Sequence, residues 1–117
     1  MADVVKREVY KLIDKELDAA NQKFPLFASN HEAYAVLLEE VEEAAERVAE
    51  IEGLMNVIWE YTRANEAPEF LHEQYTEVFR QAADLAAEAI QCAAMARKAI
   101  ISNIDLRHID AAERGSE

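Results

Sequence analysis

The sequence contains few of the residues that turn or cross-link a chain. Glycine and proline number 2 each among 117 residues, and there is 1 cysteine, Cys92. Few turn formers imply few turns, so the elements must be long, and long elements in a globular protein are helices. A single cysteine excludes an internal disulfide and a cysteine-rich zinc site, and it is typical of a reducing compartment. The composition therefore predicts an all-α protein.

Basic residues and long apolar runs are also scarce. Lys and Arg number 12 against 24 Asp and Glu, which gives a net charge of −12. Nucleic acids and anionic membrane surfaces repel such a chain, so neither is expected as a partner. The longest apolar run, residues 33–38, is far below the roughly 20 residues of a membrane span, and the first residues contain no apolar signal region. We expect a cytoplasmic protein whose charge favours cation binding.

Apolar residues recur at helical spacing in three stretches, which predict the three main helices. The stretches are residues 3–21, 30–65 and 69–102. Ser29 and Glu32 match the S-x-x-E capping box at the start of the second helix. Gly53 marks a possible break within that helix, because glycine costs roughly 1 kcal/mol in a helix interior. The pattern predicts a single all-α domain over 1–117, with a tail at 105–117.

The length of the second and third helices bears on oligomeric state. Each would be roughly 50 Å long at 1.5 Å per residue, whereas a compact domain of this size has a radius of gyration of about 13 Å. Either the helices break or they extend into an oligomer. We expect an oligomer, a homodimer or tetramer that completes the helical bundle.

The second helix carries a dense run of glutamate. Nine Glu and one base, Arg47, fall between Glu32 and Glu60. Like charges four residues apart repel each other by a few tenths of a kcal/mol per pair, and a divalent cation would relieve that repulsion. Glu40 and Glu43 lie nearest the apolar stripe of the helix and are the metal candidates. A solvated acidic face is the alternative interpretation.

A further acid stands in an alanine-rich part of the third helix. Within residues 85–96 the polar side chains are Glu88 and Gln91, one turn apart. An unpaired carboxylate buried there would cost several kcal/mol, so Glu88 must be protonated, paired or bound to a metal. An ion pair with an arginine of another helix, such as Arg47, is the alternative to a metal site. Oxygen donors from two helices suit Mg²⁺ or Mn²⁺ and leave positions for substrate phosphate oxygens.

Two basic side chains are candidates for binding that phosphate. Lys98 continues the stripe of Glu88 and Gln91 towards the end of the third helix, and His31 lies near the start of the second. The alternative interpretations are a helix-end charge for Lys98 and an ordinary surface residue for His31.

Two motifs in these helices resemble those of a known superfamily. Residues 39–43, Glu-Glu-Val-Glu-Glu, resemble the E-E-x-x-E motif of the MazG-like all-α nucleotide pyrophosphohydrolases, and residues 88–91 match their later E-x-x-D motif as E-x-x-Q. Residues 31–40 and 88–95 look particularly similar to small prophage and bacterial members. The resemblance covers about 27–101. It implies a helical dimer or tetramer that hydrolyses nucleoside triphosphates to the monophosphate and pyrophosphate with Mg²⁺.

Carried over residue by residue, the resemblance implies roles for five side chains. Glu39 and Glu40 would be catalytic, and the ligands of Mg²⁺ or Mn²⁺ would be Glu40, Glu43, Glu88 and Gln91. Gln91 departs from the motif, because an amide keeps an oxygen ligand but loses a negative charge. A non-catalytic relative that serves as an oligomeric binding or scaffold protein, with a degenerate metal site, is therefore the alternative. A purely structural acidic bundle is a third hypothesis.

Overall fold

The computed structural model describes residues 2–23, 26–65 and 68–102, and these residues form three helices. They are α1 (Ala2–Lys23), α2 (Asn30–Ala64) and α3 (Pro68–Ile101). Within the described ranges there is no strand, so the all-α prediction is confirmed, and each predicted helix end lies within two residues of the observed one. None of the three helices is both long and apolar enough to cross a membrane. The predicted tail at 105–117 lies outside the described residues.

Both ends of α2 are fixed by short-range hydrogen bonds. The Ser29 hydroxyl accepts the backbone N–H of Glu32 at 3.1 Å, as expected of the first half of a capping box. After α2, Asn65 has a φ of 54°, a left-handed conformation that asparagine tolerates better than most residues. Its N–H donates to the Thr62 carbonyl at 3.2 Å. The chain can therefore leave the axis of α2 within one residue.

The possible break at Gly53 does not occur. Helix α2 runs without interruption from residue 30 to residue 64. A Cβ placed on exposed Gly53 would meet nothing within 4 Å, so packing does not require a glycine there. The helix tolerates this poor helix former because the turns on both sides contact α3, and tertiary contacts supply most helical stability in proteins.

The chain divides into two compact units. Among the described residues, the first unit contains 2–40 and 90–102, and the second unit contains 41–89. In the first unit, Ile13 and Leu17 lie one turn apart on α1 and pack with Ala94 of α3 in a small core. Half-buried apolar residues surround that core: Val9, Ile90, Ala93 and Met95.

A second buried cluster lies in the first unit, where the end of α3 meets the segment before α2. Phe27 and Ser102 are each 3% exposed, and the Phe27 N–H donates to the Ser102 hydroxyl at 3.0 Å. That hydroxyl donates to the Lys98 carbonyl at 2.7 Å. The Lys98 ammonium lies 4.9 Å from the centroid of the Phe27 ring, within the range of a cation–π contact.

The second unit is an antiparallel helical hairpin. Its α2 and α3 segments contact each other at three levels, and the residue numbers fall on one helix as they rise on the other. The contacting pairs are Tyr61–Phe70, Arg47–Gln81 and Glu43–Glu88. Among the described residues of this unit, Ile58 is the buried apolar side chain. The hairpin therefore has a thin apolar interior and polar groups between its helices.

Candidate metal centre

Three glutamates form the cluster on which the candidate site depends. One carboxylate oxygen from each of Glu40, Glu43 and Glu88 lies within 4.8 Å of the other two, and all three side chains are half-buried. Glu40 and Glu43 are one turn apart on α2, and Glu88 comes from α3. The helical spacing of three residues explains why the first two project in similar directions. We refer to these three residues as the glutamate cluster.

The carboxyl group of Glu43 faces Glu88 across the hairpin and has a raised pKa. A hydrogen bond with Glu88, followed by the negative charge of Glu88, raises the pKa of Glu43 above its usual value of 4.5. Burial adds a smaller increase, and the nearby Arg47 guanidinium acts in the opposite direction. Two close carboxylates resist simultaneous ionisation. A cation bound beside Glu43 would favour its ionised form and so lower the pKa of Glu43.

Arg47 does not neutralise Glu88 by direct contact. The Arg47 guanidinium donates instead to the Gln81 side-chain oxygen at 3.2 Å. Among the described residues, the salt bridges include none between Arg47 and Glu88. The Oε2 atom of Glu88 is buried and accepts no hydrogen bond. The ion pair between Arg47 and Glu88 is therefore not what the structure contains, and the group that the Glu88 carboxyl meets across the hairpin is the Glu43 carboxyl.

The donor chemistry fits a hard divalent cation. Two oxygens on one ion lie at most about twice the metal–oxygen distance apart, which is about 4.2 Å for Mg²⁺ and about 5 Å for Ca²⁺. A cluster within 4.8 Å is close to that reach, and small side-chain rotations would complete it. Carboxylate oxygens are the ligands such ions prefer, and no nitrogen or sulfur donor belongs to the cluster. The glutamate cluster could therefore hold a metal ion.

The other predicted site residues lie at different positions. Glu39 is exposed on α2, one turn before Glu43, and Gln91 is half-buried on α3, one turn after Glu88. His31 is exposed in the first turn of α2. Lys98 is only 3% exposed and packs on Phe27. It follows Glu88 by ten residues, about 15 Å along a helix.

The structure thus brings together Glu40, Glu43 and Glu88 and surrounds Lys98 with groups of the first unit. The roles of Gln91 and of both basic residues in ligand binding stay predictions. Sequence reasoning did not find the Arg47–Gln81 hydrogen bond, which joins residues 34 apart. Its only sequence signal was Arg47 as the one base among nine glutamates.

No protein-family model, curated protein or solved structure matches this chain. The two motifs, at residues 39–43 and 88–91, thus remain the basis of the resemblance to the MazG-like superfamily.

Proposed function

We propose that this chain is a Mg²⁺- or Mn²⁺-dependent nucleotide pyrophosphohydrolase, which converts a nucleoside triphosphate to the monophosphate and pyrophosphate. The observation that carries the proposal is the glutamate cluster, whose three carboxylates come from the two helices that bear the two motifs. The buried Oε2 of Glu88, which accepts no hydrogen bond, supports it further. A net charge of −12 makes direct binding of a polyphosphate unfavourable, so a cation is needed to hold the substrate.

Each residue of the proposed site would have a separate role in the reaction. A bound divalent cation would neutralise charge on the phosphate oxygens. Glu40, Glu43 and Glu88 would hold that ion, with the amide oxygen of Gln91 as a further donor. Glu39, exposed one turn before Glu43, would join Glu40 in orienting a water molecule and accepting its proton. The water oxygen attacks phosphorus, and the bond to the departing pyrophosphate breaks.

The proposal also specifies the substrate, the cellular location and the oligomeric state. The substrate is a nucleotide rather than a nucleic acid, and exposed His31 is a contact for its phosphates. The predicted phosphate contact of Lys98 is not part of the proposal, because Lys98 is 3% exposed and packs on Phe27. The enzyme acts in the cytoplasm as a homodimer or tetramer. The exposed position of His31 at the start of α2 supports a role in phosphate binding, because helix N-termini favour anions.

Pyrophosphate release from a panel of nucleoside triphosphates, with Mg²⁺ or Mn²⁺, tests the proposal. We expect Glu88→Gln and Glu43→Gln to reduce kcat/KM by about 100-fold or more, since each removes a charged ligand. Glu42→Gln is the matched control, because Glu42 is an exposed neighbour on the same helix outside the cluster. Absence of turnover across the panel, or equal loss in Glu42→Gln, would contradict the proposal.

A second candidate function is a non-catalytic binding or scaffold protein with a degenerate metal site. Gln91, which stands where the motif has an acid, favours this candidate. The positive charge of Arg47 also favours it, because it acts to lower the pKa of Glu43. Calorimetric titration with Mn²⁺ separates the two candidates. Binding that is lost in Glu88→Gln and kept in Glu42→Gln supports the enzyme, whereas no binding to the wild-type chain supports the second candidate.

A further inference from the structure

Apolar side chains remain exposed along one side of each helix in the second unit. Phe79 is the extreme case, with 77% of its surface accessible. The set, which we call the open apolar face, comprises Val41, Ala45, Val48, Met55 and Trp59 of α2 and Tyr75, Phe79, Ala82, Ala86 and Ala89 of α3. On both helices the positions follow alternating steps of three and four residues, interrupted on α2 by Glu52. That spacing is the pattern of a helix with a packing partner.

Helical geometry puts both stripes on the same side of the hairpin. At 100° per residue, each stripe lies roughly a third of a turn from the side that faces the other helix. On each helix, the rotation from the facing side to the stripe runs in the direction in which residue number increases around the helix. Because the helices are antiparallel, equal rotations bring the two stripes to one common side. Glu43 and Glu88 are rotated in the opposite direction, so the open apolar face lies away from them.

The face has a large half and a small half. Towards the turn between α2 and α3 it carries Met55, Trp59, Tyr75 and Phe79. Towards the other end it carries two valines and four alanines: Val41, Ala45, Val48, Ala82, Ala86 and Ala89. A two-fold axis perpendicular to the helices would place two such faces against each other in opposite directions. The bulky half of each copy would then lie against the small half of the other copy. The shape is therefore complementary to itself, as a symmetric dimer requires.

The exposed area is large enough for a stable dimer. The six larger side chains of the face leave roughly 700 Å² accessible, given the usual size of such side chains. The alanines add to that area. A standard protein interface buries about 800 Å² on each partner, so one copy of this face supplies what a specific interface needs.

We propose that the open apolar face binds the same face of a second copy of this chain, so that two hairpins form an antiparallel four-helix bundle. The inference rests on the proposed self-association and names the surface that carries it. The glutamate clusters of both copies lie outside the new interface. Charge opposes the assembly, since each chain carries −12 and Glu52 interrupts the apolar stripe, so added salt tightens the dimer.

Sedimentation of the full chain over a range of concentrations tests the proposal. The matched variants are Ala86→Lys and Ala87→Lys, which make the same charge change at adjacent exposed residues of α3. Ala86 belongs to the open apolar face and Ala87 points away from it. We expect a dimer for the wild-type chain and for Ala87→Lys, and a dimer about 100-fold weaker for Ala86→Lys, because that lysine would be buried without a partner.

Circular dichroism is the control that checks whether both variants keep their helix content. A wild-type chain that stays monomeric at every concentration would overturn the interface and the proposed oligomer, without bearing on hydrolysis. A dimer that Ala86→Lys and Ala87→Lys weaken equally would overturn the interface alone. A dimer that salt weakens would also count against it, because oppositely charged surfaces rather than this face would then hold the copies together. Titration of the Ala86→Lys variant with Mn²⁺ tests the metal site independently of the dimer, because Ala86 does not belong to the glutamate cluster.

Discussion

The buried polar groups around Ser102 in the first unit and those between the helices of the hairpin are partnered differently. In the first unit, the buried Ser102 hydroxyl both accepts and donates a hydrogen bond, and the buried Lys98 ammonium lies over the Phe27 ring. In the second unit, Arg47 Nε and Glu88 Oε2 are buried and have no hydrogen-bond partner. The first unit also contains five of the six buried apolar residues in the described ranges. Satisfied polar groups and a core stabilise a fold, whereas unsatisfied ones mark a place for ligands.

The largest expected effect is on the core of the first unit. Phe27→Ala should lower the free energy of unfolding by about 3–5 kcal/mol, since Phe27 is 3% exposed and a large cavity would remain. The corresponding truncation in the second unit, Ile58→Ala, should cost about 2 kcal/mol, at the lower end for buried aliphatics. Urea denaturation of both variants measures the difference. The reverse order of destabilisation would contradict the contrast between the units.

A smaller effect compares two hydroxyls that each donate to a carbonyl one turn earlier. Ser102→Ala should cost about 1–2 kcal/mol, because it removes the buried acceptor of the Phe27 N–H. Thr76→Ala removes an exposed hydroxyl that donates to the His72 carbonyl at 2.8 Å. It should change the free energy of unfolding by less than about 0.5 kcal/mol. Equal effects of the two substitutions would show that burial does not distinguish these sites.

Gly53→Ala should stabilise the second unit. The residue is helical, exposed and surrounded by open space, so alanine adds helix propensity without a clash. The expected gain is about 0.5–1 kcal/mol in the free energy of unfolding. Thermal denaturation measures it. A loss of stability would mean that the helix bends at this residue in solution.

The smallest effect concerns pH. The folded protein holds the Glu43 proton more tightly than the unfolded chain, because its pKa is raised by Glu88. The associated stability is therefore present below about pH 4.5 and is lost as the pH rises through the folded-state pKa. The stability of the wild-type chain relative to Glu43→Gln should fall over that interval, and Mn²⁺ should reduce the fall. A difference that is independent of pH would exclude the interaction between Glu43 and Glu88.

The helices could be predicted because their signals are local. Apolar periodicity located all three, and the Ser29 hydroxyl caps α2 as its sequence indicated. The possible break at Gly53 is absent for an equally physical reason: helix propensity is a weak local term, and contacts on both sides of the glycine outweigh it. The Arg47–Gln81 hydrogen bond could not be predicted, because the meeting of two flexible side chains 34 residues apart depends on helix register.

The candidate site could be predicted in part. Spacing places Glu40 and Glu43 on neighbouring turns of one helix, and the isolation of Glu88 among alanines marks it as unusual. That Glu88 lies at their level follows from how the hairpin pairs, which no motif specifies. The environment of Lys98 was also out of reach, since its neighbours Phe27 and Ser102 are distant in sequence.

The hydrogen bond between Phe27 and Ser102 closes a loop of 75 residues. Loop-closure entropy rises with length, so this contact is costly for an extended chain. The hairpin over 41–89 lies inside that loop and pairs locally, and once formed it shortens the distance the two ends must search. We expect the hairpin to form first and the Phe27–Ser102 cluster to follow the rate-limiting step. Ser102→Ala should then accelerate unfolding in stopped-flow experiments and leave the folding rate almost unchanged.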